Sequence, residues 1–364
     1  MTLNWIGTRT RENGVFNPAG LGRGTRDVAV GSDLLTRGSL LIEVNVRPQM
    51  NPINLVRFGA LDPWPSGLTV CLEPDGTLRL LMRQGARHLA TALKTSLGSD
   101  VQTAHITYTW DAPARRGRLS VHAPDHGRLW QTEVLTPFPL SMRDAQRIMA
   151  NNNSISTIDD CVVFAAIADA PCPHGPIPGL SGSAAVDTPD GPKPIQQLQQ
   201  GDLVNAEGRA PVRALWVGHA SVPTLGRFAP MTLRRPYMGL WDDLIAARDQ
   251  RVCLAGSEVE YLFGEERVTT AVRHLEVRNC AMLTKPKPAV ITYYQVLLET
   301  HEIMTVNGAL VESFDGSAVL ASTAMMQNSV LADMAPDMRP KRIGLAAPVL
   351  QGYEALTLTG VKIG

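Results

Sequence analysis

The chain has no excess charge of either sign: 34 Lys and Arg stand against 34 Asp and Glu over 364 residues. With no net field to gather a polyanion from a distance, and no Lys/Arg run, nucleic acid is not an expected partner. No apolar run approaches the roughly 20 residues of a membrane span, and the start, M-T-L-N-W-I-G-T-R-T-R, lacks the apolar core of a secretory signal. A soluble protein is expected, cytoplasmic or exported by a route without a signal peptide. The five cysteines, Cys71, Cys161, Cys172, Cys253 and Cys280, form no C-x-x-C pair. Their spacing excludes a zinc knuckle or redox dithiol and reads as buried small side chains in a reducing compartment. No cofactor and no metal site is expected, since no dense D-x-D pattern is present either.

Long helical periodicities are also missing, whereas Gly (31) and Pro (26) are plentiful. That balance predicts many short strands joined by turns, a mainly β protein. At 364 residues the chain is too long for one ordinary core and suggests two domains. In the first half Leu40, Ile42, Val44 and Val46 alternate with Leu41, Glu43 and Asn45, the period of a strand with one buried face. Segments 68–72 and 78–82 flank the turn Pro74-Asp75-Gly76, and further strands are read at 105–111, 118–121 and 161–166. Residues 142–149 read as a short helix and Asn151 to Ser154 as a turn. The pattern is that of an antiparallel sandwich over 31–169, preceded by an arm at 1–30.

Four prolines fall within the nine residues 170–178, a density that supports neither helix nor central strand, so this stretch reads as a linker. Beyond it, Val186-Asp187-Thr188-Pro189-Asp190-Gly191 is a strand followed by a tight turn, and Gly201-Asp202 precedes Leu203-Val204. Residues 317–334 have helical spacing and small side chains, which predicts a helix laid on a sheet.

Several of these motifs resemble known families. Thr109-Trp110-Asp111, Gly117 to Val121 and the hairpin Asp75 to Leu80 resemble the concanavalin A-like or laminin G-like jelly roll. That resemblance implies a glycan or protein ligand, with the loop residue Trp64 as the candidate platform and Asp159-Asp160 as a less favoured acidic pair. Thr188 to Gly191 and Gly201 to Val204 resemble the opening block of the bacterial Hint (Hedgehog/intein) domain. Asp243-Leu244 with Arg251-Val252 resemble its histidine strand. Tyr293 to Ser313, with His301, Glu302, Asn307, Gly308, Glu312 and Ser313, resembles its closing hairpin. The expected architecture is therefore a sandwich, a linker, an all-β, horseshoe-like Hint domain over 179–316, and a helix and strand over 317–364 packed upon it. The terminal strand is placed at 346–358.

The Hint resemblance implies a self-processing reaction with a defined donor set. A Cys or Ser at the first position attacks the preceding carbonyl by an N-to-S or N-to-O shift, and a histidine protonates the departing nitrogen. Here the nucleophile position holds Gly179 and the histidine position holds Gln250, while Gln295 replaces a second histidine. Glycine carries no nucleophile and an amide no proton to give, so the expectation is a domain inactive for self-cleavage that serves as a binding or structural module. The alternative is cleavage near 178–181 using Ser181, Cys172 or the retained His301, and a second alternative is glycan binding by the sandwich.

Overall fold

The computed structural model describes residues 3–23, 33–62, 64–98, 100–150, 154–278, 280–285, 288–335, 338–340 and 344–360. The chain divides into two compact units, Met1–Gly175 and Pro176–Gly364. Mainly antiparallel β structure fills both, as the turn-rich, helix-poor sequence predicts.

In the first unit, the alternation along Arg37–Asn45 points Leu40, Ile42 and Val44 inward, and its neighbours Thr103–Asp111 and Val162–Ala168 continue that inner face with Ile106, Tyr108 and Ile167. A seven-stranded sheet results, in the order Arg128–Leu135, Arg116–Ala123, Thr103–Asp111, Arg37–Asn45, Val162–Ala168, Trp5–Arg9, Gly14–Phe16. The opposing sheet has five strands in the order Ser156–Ile158, Ile53–Ala60, Ser66–Leu72, Thr77–Gln84, Arg87–Lys94, and it supplies Val56, Phe58, Leu68, Val70, Leu78 and Leu80 to one shared core. Residues 1–30 are not simply an arm. Trp5–Arg9 and Gly14–Phe16 are sheet strands with Ile6 fully buried, and strands this short offer too few alternations to be read from sequence.

Helix Met142–Met149 starts where the Ser141 hydroxyl accepts a bond from Asp144 N at 3.0 Å, and it buries Ala145, Ile148 and Met149. Asn151 to Asn153 of the expected turn lie outside the described residues. The Pro-rich stretch is no free tether at its start. Ser39 Oγ donates to Ala170 O and accepts from Cys172 N, each at 2.7 Å, and His174 is buried against Ser120 and Thr109.

Apart from Val212–Pro223 and Val290–Leu298, the second unit is built from strands of two to five residues. One sheet runs Leu203–Val204, Val212–Pro223, Val290–Leu298, Leu180–Ser181, Leu244–Ala247, Pro230–Leu233, Ala281–Leu283. The other runs Lys193–Pro194, Ala185–Val186, Ile303–Val306, Ala309–Glu312, Arg251–Ala255, Arg267–Ala271. The expected turns form: Gly191 takes φ +103 beneath a Thr188 Oγ1 to Gly191 O bond of 2.6 Å, and Asn307-Gly308 turn the closing hairpin with φ +49 and +92.

Two expectations for the C-terminal part fail. Residues 317–334 hold two single-turn helices, Ser317–Leu320 and Thr323–Met326, because Ser322 adopts an extended conformation and caps the second with its own hydroxyl. In place of a strand over 346–358, Val349 makes one parallel bridge to Thr269 and the chain then coils into helix Gly352–Gly360, burying Ala355 and Leu358. Ala355 and Leu358 are three residues apart, a spacing that places them on one helical face but on opposite faces of a strand, and both are buried against the core of this unit. Among the described residues, no helix is long and apolar enough to cross a membrane.

Candidate functional site

Gly179 directly precedes strand Leu180–Ser181, which lies between Val290–Leu298 and Leu244–Ala247 in the middle of its sheet. Its carbonyl accepts from Ala247 N at 2.7 Å, and that bond draws it toward the turn ending at Gln250. The approach is close: a Cβ placed on Gly179 would lie 2.7 Å from Gln250 Oε1 and 3.2 Å from Gln250 Cβ. The absent side chain is thus part of the packing. Glycine is what lets the glutamine occupy this space.

Gln250 is buried and held on three sides. Its amide nitrogen donates to Glu312 O and to Arg251 O, both at 3.1 Å, while its amide oxygen accepts from Gln295 Nε2 at 2.9 Å. Gln295, 2% exposed, accepts from Val296 N at 3.0 Å with its own oxygen. One amide–amide bond and the surrounding backbone groups therefore satisfy both side chains, as buried polar groups require. Neither has a proton acidic enough to give to a leaving nitrogen.

Behind them lies a charged cluster. Arg251 sits 3.0 Å from Glu312 Oε2 and 3.8 Å from Asp315 Oδ2. His301 Nε2 is 3.6 Å from Glu312 Oε1 and 3.3 Å from Ser313 O, and Nδ1 is 2.6 Å from Gly344 O. Burial raises the Glu312 carboxyl above its ordinary value, against the pull of Arg251 and His301. Burial also acts to raise Asp315, but the bonds from Ser317, with His301 and Arg251 nearby, hold it below its ordinary value.

The sequence candidates divide clearly in this arrangement. Gly179 touches Gln250, and Gln250 and His301 both meet the Glu312-Ser313 end of strand Ala309–Glu312. The imidazole of His301 is engaged with two carbonyl oxygens and a carboxylate. Ser181 presents its hydroxyl to Ser183 Oγ at 3.4 Å. Cys172 belongs to the first unit, where burial pushes its thiol up to about 11, the opposite of the lowered value an attacking thiolate needs. Trp64 is 61% exposed and lies against the turn at Gly85, whose missing Cβ would come within 2.7 Å of the indole. Asp159 accepts from Cys161 N and Asp160 pairs with Arg11, and among the described residues no group of three or more His, Cys, Asp or Glu could hold a metal ion. Sequence reasoning overlooked the roles of Arg251, Glu312 and Asp315. The Glu-Ser of the closing hairpin was a visible signal for Glu312, but nothing near it in sequence pointed to Arg251, 61 residues away.

Residues 178–317 match the family model described as Hint domain. No curated protein matches the chain. Among solved structures, the enzymatically active domain of bacteriophage CBA120 tailspike protein 2 is similar at 12% identity and a TM-score of 0.27, covering 46% of this chain and 29% of that one. Full-length tailspike protein 2 from Escherichia coli O157:H7 bacteriophage CAB120 gives 9% identity and 0.23, covering 36% and 20%. Mouse laminin alpha1 domains LG4-5 give 10% and 0.26, covering 85% and 75%. The chain thus spans less than a third of either tailspike chain, and scores this low carry no argument about fold or function. Within the matched span, Gly179, Gln250, Gln295 and His301 gather around the closing hairpin, and the protein is one that contains a Hint domain over residues 178–317.

Proposed function

We propose that the Hint unit has kept its scaffold and lost its chemistry, leaves its own chain intact, and serves as a binding or structural module. The observation that carries this reading is the contact of Gly179 with Gln250, itself bonded to Gln295. Acyl shift needs a nucleophile and a proton donor at these positions, and a hydrogen atom and two hydrogen-bonded amides stand there instead. Removing either role alone costs orders of magnitude in comparable catalytic sets.

The test is prolonged incubation of the full chain with and without thiol, followed by a denaturing gel and intact mass. A single unbroken chain is expected. Fragments split between 178 and 181, lost in Ser181→Ala or Cys172→Ala, would instead establish unconventional self-cleavage. The paired change Gly179→Cys with Gln250→His restores both groups, and the second substitution also relieves the 2.7 Å approach between a new Cβ and Oε1. Thiol-dependent cleavage in the double variant and in neither single one is the outcome expected from an intact scaffold.

A further inference from the structure

The five-stranded sheet of the first unit is unbalanced in charge. Its strands contain Arg57, Arg79, Arg83, Arg87, Lys94 and His88 but no Asp or Glu, although the chain as a whole is neutral. The register sorts these residues. Phe58, Leu68 and Met82 enter the core, so the adjacent row Gly59, Gly67, Arg83 and His88 belongs to the opposite face. Arg57 joins that face in the row with Thr69, Leu81 and Ala90, and Arg79 in the row with Cys71 and Ala92.

Arg57, Arg79, Arg83 and His88 are all exposed. From the strand rise and interstrand spacing, the three arginine Cα atoms stand about 12 to 13 Å apart. Glu73, at the neighbouring turn, pairs with Arg79 at 3.0 Å and offsets its charge, which leaves Arg57 and Arg83 as the main positive groups of this face.

Two further features shape this face. Gly59 and Gly67 pair with each other one residue from the ends of their strands, so no side chain stands on this face there. A Cβ on Gly59 would meet nothing within 4 Å, so the space above it is open. The row also ends beside Trp64: Ala60 pairs with Ser66 and Ser66 with Gln84, which puts the 61–65 loop and the Gly85 turn at one end of the sheet, with the exposed indole lying on that turn.

We propose that this face binds a linear acidic polysaccharide. The guanidinium groups take its carboxylate or sulfate groups, the open glycine floor admits the polymer close to the backbone, and the indole stacks on a sugar ring at the edge. A single-stranded nucleic acid is less well matched, because successive bases need successive aromatic platforms and the rows of this face offer Thr69, Leu81 and Ala90 instead. The proposal goes beyond the Hint reading and does not depend on the fate of the bond at 178–179.

The test uses the intact full chain with dextran sulfate and polygalacturonate as probes, which separate sulfate from carboxylate recognition, and with uncharged dextran and an oligothymidine as controls. Expected results are binding of at least one acidic polymer that weakens as salt rises, none of dextran, and about a tenfold loss in Arg57→Gln/Arg83→Gln. Arg57→Lys/Arg83→Lys retains most of the affinity, Trp64→Ala weakens it, and Arg213→Gln in the second unit leaves it unchanged. Hydrogen exchange confirms that each variant is folded. Failure of both acidic polymers to bind, equal binding of dextran, unchanged affinity in the double glutamine variant, or displacement by oligothymidine at equal charge overturns the proposal.

Discussion

The two units satisfy their backbones in different ways. In the first, strands of eight and nine residues such as Arg116–Ala123, Thr103–Asp111 and Arg37–Asn45 pair along their length, so the ladders consume most donors and acceptors. In the second, Leu180–Ser181, Ala185–Val186 and Leu203–Val204 are two residues each. Ladders that short leave ends to be completed by side chains. Asn307 accepts from Ala185 N at 2.7 Å and donates to Asp243 O at 3.1 Å, Gln250 donates to Glu312 O, and Tyr293 donates to Phe228 O at 3.0 Å. The sandwich thus rests mainly on buried apolar surface, whereas the Hint unit also depends on particular polar residues at strand junctions. Gln250 and Gln295 stand at such a junction, where Gln250 binds Glu312 O and Gln295 binds Gln250.

Substitutions test that contrast. The largest effect is expected from Trp110→Ala, which empties a fully buried position and breaks the indole bond to Leu35 O; a cost of about 3–5 kcal/mol should appear as lost hydrogen-exchange protection in peptides from residues 1–175. Asn307→Ala should cost about 2–3 kcal/mol, because it deletes two buried bonds and places alanine at φ +49. Its loss of protection should centre on 180–186 and 303–312, and an effect below about 0.5 kcal/mol would break the comparison.

The smallest expected effect is one of pH. Burial, with Arg118 nearby, lowers His174 to about 3, so folding favours its neutral form between Ser120 and Thr109. A base lowered in the folded state contributes stability that is complete above its ordinary value of 6.5 and is lost as pH falls toward 3. Protection of the first unit should fall by about 1 kcal/mol over the first pH unit below that value, and His174→Gln should flatten the decline. In the second unit Asp315 is held below its ordinary 3.8, so its contribution disappears only under stronger acid. An equal loss in both units near pH 6 would remove the distinction.

Much of this was legible in the residues themselves. The alternation of Leu40, Ile42 and Val44, the Asp75-Gly76 turn and the Asn307-Gly308 hairpin each encode their geometry locally, through a two-residue period or a positive φ that few residues accept. The identities of Gly179, Gln250 and Gln295 were readable directly, but their contact with one another was not. The ends were less legible: Trp5–Arg9 is too short to show a period, and the three-residue spacing of Ala355 and Leu358 is a single repeat.

By itself, then, the sequence determined the β class and the turns, since each depends on residue type and near neighbours. Only the tertiary structure decided that Gly179 yields its space to Gln250, that Gln295 and Glu312 close a polar network 45 and 62 residues away from it, and that Arg57, Arg79 and Arg83 share one face of the five-stranded sheet. Those relations depend on which distant strands become neighbours and which face each side chain takes, and burial and pairing across the whole unit set both.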